Sequence, residues 1–130
     1  MADICTHFLA NCKKDLGFYG KDAPSKLIKY VMKSIKQRES KIDAFIINGD
    51  FVEHGIALNN STGNFKETWA KMKEIITNDM NMIRREFPDA SLLPSIGNND
   101  VVVHNQVPCD SETSKEYYSE LFDIWFPAKK

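Results

Sequence analysis

The chain has 130 residues, enough for one domain with a real hydrophobic core. Its 42% hydrophobic and 27% charged residues are those of an ordinary globular protein, and a net charge of −1 gives no electrostatic footprint for nucleic acid. No apolar run approaches the roughly 18 residues of a membrane-spanning helix, and Met1-Ala2-Asp3 lacks the basic and apolar regions with which a signal peptide opens.

Residues 1–22 show little periodicity and read as an irregular segment ahead of an alternating core at 23–130, the whole forming one domain. Cys5 and Cys12 lie close in sequence, and Cys109 makes the count odd. Either a Cys5–Cys12 disulfide in a secreted parent or three free thiols satisfies the pattern. Gly17-Phe18-Tyr19-Gly20 mixes glycines with aromatics, as a packed loop does. Pro24 suits the first turn of a helix, where its missing N–H costs little. Leu27, Ile28, Val31, Met32 and Ile35 follow at helical spacing, so a helix is predicted to about Glu39.

Lys41 to Asn48 is a nearly continuous apolar run, the pattern of a strand buried on both faces. Gly49 breaks it. Residues 55–63 are a polar loop in which Asn59-Asn60-Ser61-Thr62 holds two overlapping glycosylation sequons. From Phe65 a long helix carries one stripe of Trp69, Met72, Ile76, Met80, Ile83 and Phe87, which reads as core packing. Pro88-Asp89 ends it. Ser91 to Ile96 is a second strand, and Pro94 favours an edge or a strand end. Val101 to Val103 is a short extension or a loop. Residues 112–126 form a last helix with Tyr118, Leu121, Phe122 and Trp125 on one face.

Helix, strand, helix, strand, helix is the alternation of an α/β fold with parallel strands. Two strands are few for independent stability. The chain is therefore expected to be part of a larger α/β domain or to assemble with a partner, and exposed strand edges favour self-association.

Each strand stops at a glycine followed by donor residues: Gly49-Asp50-Phe51-Val52-Glu53-His54 and Gly97-Asn98-Asn99-Asp100. The carboxyl edge of a parallel sheet is where ligands bind in α/β folds. Asp50 and Asn98 are hard oxygen donors suited to a divalent ion, and a carboxylate can bridge two of them. His54 can ligate a metal or donate a proton. Asn99, Asp100 and His104 lie close enough in sequence to reach the same cleft. Taken singly, each also suits a turn or a cap.

Together the two blocks resemble the calcineurin-like metallophosphoesterase superfamily, an α/β sandwich fold, and within it the acid-sphingomyelinase-like phosphodiesterases and endopolyphosphatases. Gly49-Asp50 with His54 is similar to their Gly-Asp-x-x-x-His block. Gly97-Asn98-Asn99-Asp100-Val101 with His104-Asn105 is similar to the Gly-Asn-Asn-Asp-x-x-x-His-Asn form. Gly17-Phe18-Tyr19-Gly20 with Ala23-Pro24 is similar to the segment preceding the first helix in both groups, so the resemblance runs from about Gly17 to Pro127.

The resemblance implies a dinuclear site, with zinc first and manganese or iron as alternatives. It implies that Asp50 bridges the ions, that Asn98 ligates the second, and that His54 binds phosphate or protonates the leaving oxygen. It also implies a phosphodiester or phosphoanhydride substrate, polyphosphate included, and a secreted, lysosomal or vacuolar glycoprotein as parent. Asn99 stands where most of the superfamily has His; an amide can bind a phosphate oxygen but cannot supply a proton. The Asp-x-His block and the later His blocks are missing, so weak metal binding and little or no activity are expected of this chain alone. The alternative is a non-catalytic, degenerate member acting as a binding or assembly module. A receiver-like α/β domain would need an acidic pair and a lysine that the sequence does not place.

Overall fold

The computed structural model describes residues 4–5, 17, 21–39, 41–59, 63–109 and 112–128. In chain order the elements are β1 (Ile4–Cys5), β2 (Ala23–Pro24), α1 (Ser25–Arg38), β3 (Ala44–Ile47), α2 (Phe65–Glu86), β4 (Ser91–Pro94) and α3 (Thr113–Trp125). β1 pairs with β2 and β3 with β4, both in parallel. The α/β alternation read from the sequence is thus present, with α2 as the crossover between β3 and β4. The pairing of β1 with β2 adds strand structure at the border of a segment expected to be irregular. The proposed Cys5–Cys12 bridge, the aromatics of Gly17-Phe18-Tyr19-Gly20 and most of the double sequon lie outside the described residues.

Pro24 stands at the N-cap position of α1 with extended backbone (φ −72°, ψ 151°). This is the conformation proline favours immediately before a helix. α2 begins with a reciprocal cap: the Asn64 side chain accepts the Glu67 N–H at 3.2 Å and donates to the Glu67 carboxylate at 3.3 Å. At the far end of α3, Arg84 of α2 donates to the carbonyls of Ile124 and Trp125 at 2.7 and 2.6 Å, a cation on a helix C-terminus.

The α2 stripe does what its spacing predicts. Trp69, Met72, Ile76, Met80, Ile83 and Phe87 are buried, joined in one core with Ile28 and Met32 of α1, Ile47 of β3 and Leu92 of β4. Phe45 and Phe87 tie strand to helix with ring centroids 4.8 Å apart. β3 and β4 run in register from Ala44–Ser91 to Ile47–Pro94, and Pro94 closes β4, where its missing N–H does the ladder no harm.

Two expectations are corrected. β3 is covered on one face only: Ile47 is buried, whereas Ile46 is 77% exposed, as is Leu93 beside it at 51%. Among the described residues no second layer lies over that face. On α3 the buried residues are Tyr117 and Leu121, while Tyr118 and Phe122 are exposed. The contact face is set by α2, where Trp69 lies against Tyr117 at 4.7 Å and Lys73 pairs with Glu120 at 2.6 Å. Aromatic content made the neighbouring stripe look like core.

Candidate site at the strand ends

β3 and β4 end side by side, and their two motifs meet. Gly49 has φ +81°, and a Cβ built on it falls 2.1 Å from the Gly97 nitrogen. A Cβ on Gly97 falls 2.2 Å from the Asp50 nitrogen and from its Oδ1. Each motif therefore needs its glycine because the backbone of the other occupies the space. Asp50 follows with φ +55°, a left-handed conformation that costs a non-glycine residue free energy and persists only where neighbours enforce it.

Asp100 is the neighbour that enforces it. Its Oδ1 accepts the N–H groups of Phe51 and Val52 at 2.8 and 3.1 Å, and its Oδ2 those of Asp50 and Gly97 at 2.8 and 2.9 Å. One buried carboxylate thus collects four backbone donors from both strand ends. Burial raises the Asp100 pKa above the usual carboxylate range, and the N–H groups of Gly97, Val52, Asp50 and Phe51 act to lower it. With two donors at each oxygen no place remains for a proton, and the geometry holds the ionised form. The Asp100 carbonyl accepts the hydroxyl of buried Tyr117 at 3.1 Å, which anchors the turn to α3.

Asp50 Oδ1 accepts the Asn99 N–H at 3.1 Å, and its Oδ2 makes no hydrogen bond among the described residues. Asn98 is exposed, and its amide nitrogen donates to the Asn99 Oδ1 at 3.1 Å. Asn99 is buried. Beyond this turn Asn105, with φ +60°, brings its N–H to the Asn98 carbonyl at 3.4 Å. The His104 N–H reaches the Leu58 carbonyl at 2.9 Å. Residues 97–105 are therefore laid against both Asp50 and the loop after it. The structure brings Asp50, Asn98, Asn99 and Asp100 together; the bonds described for His104 are to Leu58.

His54 is held from a different side. Its backbone N–H donates to Asp22 Oδ2 at 3.0 Å and its Nδ1 lies 2.8 Å from Asp22 Oδ1. Asp22 was not anticipated; nothing in the sequence couples two residues 32 positions apart. Asp79 was also missed, although its place, seven residues after Met72 and three after Ile76, put a lone acid on the apolar face of α2. It is 4% exposed, and its Oδ2 has no hydrogen-bond partner among the described residues. Burial first, and then the charge of Asp100, push its pKa up to about 8.

Over 111 residues, 85% of the chain, the sequence is 30% identical to acid sphingomyelinase-like phosphodiesterase 3b of Mus musculus. Over 106 residues, 82% of the chain, it is 31% identical to the cyclic GMP-AMP phosphodiesterase SMPDL3A of Rattus norvegicus and 27% identical to that of Bos taurus. The chain is a distant homologue of the acid sphingomyelinase-like phosphodiesterases. No family model matches it. The chain spans about a fifth of the length of these curated relatives, 22%, 22% and 21% in turn.

Asp50 Oδ2 and the Asn98 amide oxygen suit a divalent cation in kind, but a zinc ion takes three or four protein ligands. Among the described residues no group of three or more His, Cys, Asp or Glu is placed to hold a metal, and Asp100 has both oxygens committed to backbone N–H groups. The described residues therefore offer two donors of a suitable kind and do not by themselves close a metal centre.

Proposed function

We propose that this chain supplies the central strand-end half of a metal-dependent phosphoesterase that hydrolyses a phosphodiester or phosphoanhydride. The observation that carries the reading is the joining of the two motifs by Asp100, which sets Asp50 and Asn98 on one edge of a parallel strand pair. Homology to proteins named as phosphodiesterases supports it. In this reading Asp50 and Asn98 contribute oxygen ligands, with zinc the first candidate ion and manganese or iron the alternatives. The remaining ligands come from outside the described residues. Such an ion, when bound, supplies Lewis acidity at a phosphoryl oxygen.

The chain's own residues contribute binding and proton transfer. The Asn99 N–H fixes Asp50, and its buried amide, engaged by Asn98, holds no acidic proton to give. His54 is the proton donor. As the P–O bond to the leaving group breaks, its bonding pair goes to the leaving oxygen, which takes the proton from the protonated imidazole. The entering water forms the new P–O bond and releases a proton to solvent, from which the ring is recharged.

The test is hydrolysis of bis-(p-nitrophenyl) phosphate with Zn²⁺ or Mn²⁺, comparing this 130-residue chain with the product of the full open reading frame. The expected result is turnover by the full product, abolished by Asp50→Ala and reduced by Asn98→Ala, with little from the isolated chain. A full product without turnover, or turnover indifferent to Asp50→Ala, overturns the reading.

A further inference from the structure

The contact between Asp22 and His54 has more order than a surface ion pair. Exposed pairs of opposite charge contribute little, because holding two side chains in one geometry costs entropy. Here one carboxylate uses both oxygens on a single residue, Oδ2 on the backbone N–H at 3.0 Å and Oδ1 on the ring Nδ1 at 2.8 Å. Two bonds to one residue fix the position of its backbone and the orientation of its ring. The Asp22 side chain is 17% exposed and the His54 side chain 68%, so a largely buried anion holds an imidazole that remains open to solvent.

Asp22 is itself held in place. It directly precedes the buried pair Ala23–Pro24 of β2, which leads into α1. Gly17, at φ +81°, lies so close that a Cβ there would stand 2.7 Å from the Pro24 ring. On the other side, Gly55 takes φ +87° immediately after His54 and turns the chain away. His54 therefore sits at a reversal, with its ring secured to an element outside both motifs.

We infer that Asp22 is a positioning residue that holds His54 in the tautomer with Nδ1 protonated, leaving Nε2 as the nitrogen that works on the substrate. An ionised carboxylate accepts hydrogen bonds and donates none, so the 2.8 Å contact requires the proton on Nδ1. The neutral ring then carries its lone pair on Nε2. The cationic ring carries its transferable proton there, and giving it up regenerates the same tautomer without the ring having to turn. A carboxylate also stabilises the imidazolium that must exist before the proton is given. The inference rests on the reading of His54 as proton donor and adds to it the residue that fixes which nitrogen acts.

The experiment is ¹⁵N-detected NMR of the imidazole nitrogens in the uniformly labelled chain, above the pH at which His54 titrates, in wild type, Asp22→Ala and Asp22→Asn. The expected result for wild type is a protonated Nδ1 and an unprotonated Nε2 in His54. An imidazole free in water favours the opposite tautomer, so Asp22→Ala is expected to move His54 to predominantly Nε2–H while His104 keeps its wild-type shifts. Asp22→Asn keeps an oxygen that can accept from Nδ1 and so is expected to retain much of the wild-type tautomer. It stands in for the alanine variant should the latter fail to fold, with a partial shift towards Nε2–H expected. A wild-type His54 carrying its proton on Nε2, or a tautomer ratio indifferent to both substitutions, overturns the inference. The readout needs no substrate or metal, so its failure leaves the hydrolytic reading to its own assay.

Discussion

Asp100→Asn tests the frame of the site with the smallest possible change in shape. The carboxylate accepts four N–H groups, two at each oxygen, at 2.8–3.1 Å. The amide keeps one oxygen and can satisfy one pair. Its NH₂ group, whichever way it is turned, points hydrogens at the other pair. Hydrogen bonds to a charged group contribute about 1.5–3 kcal/mol each, so two lost bonds amount to roughly 3–6 kcal/mol before relaxation. Removing a buried charge returns part of that, since burial is what raises the Asp100 pKa. The net loss expected is about 2–4 kcal/mol, a large share of the roughly 5–15 kcal/mol by which domains are stable. With a urea slope of about 1–3 kcal/mol per M for a chain of this size, the unfolding midpoint should fall by about 1–2 M. Fluorescence of buried Trp69, against Tyr117 at the α2–α3 contact, reports the transition at pH 7. A midpoint within about 0.3 M of wild type, less than about 1 kcal/mol on the same slope, would refute the view that this carboxylate holds the two strand ends.

Three further outcomes are expected. Asp79 has its pKa raised from 3.8 to about 8, so between these values the folded chain keeps a proton that the unfolded chain has lost, and stability falls as pH rises through that window. Asp79→Asn should therefore be more stable than wild type at pH 9, by at most on the order of 5 kcal/mol, with the advantage shrinking towards pH 4; parallel melting-temperature profiles from pH 4 to 9 would contradict it. Gly97→Ala should cost several kcal/mol or prevent folding, because its methyl meets the Asp50 backbone at 2.2 Å; circular dichroism and solubility decide it, and a variant that melts like wild type refutes the contact. Ile46→Lys, on the uncovered face of β3, should change stability by no more than about 0.5 kcal/mol while reducing any self-association measured by sedimentation. A large loss of stability in a monomeric chain would mean that face is covered.

The long elements were legible because their signals repeat. Seven apolar residues at helical spacing from Phe65 to Phe87 specify α2, and Pro24 and Pro88 bracket helices by their backbone geometry. The two Gly-led motifs were legible as strand ends. What joins them was not: the role of Asp100 depends on N–H groups about 50 residues away, and an acid in a polar turn looks the same whether it binds an ion or a backbone. The covered face of β3 was misread for a related reason. A continuous apolar run does not say which face is covered, and the described residues supply one layer only. On α3, where every third or fourth residue is aromatic, position by position spacing could not distinguish Tyr117 from Tyr118; the partner helix decided.

The carboxylate of Asp100 has a consequence for how the strand ends meet any ligand. Both loops are fastened by backbone hydrogen bonds to one carboxylate, so in the proposed site the positions of Asp50 and Asn98 are set during folding rather than when something binds. The entropy of ordering these loops is then settled before an ion or a phosphate arrives, and binding reads out contact chemistry without a folding penalty. In the proposed hydrolase, any segment that completes the metal centre would meet a surface already in its working shape, and the affinity lost by removing it would measure its own ligands.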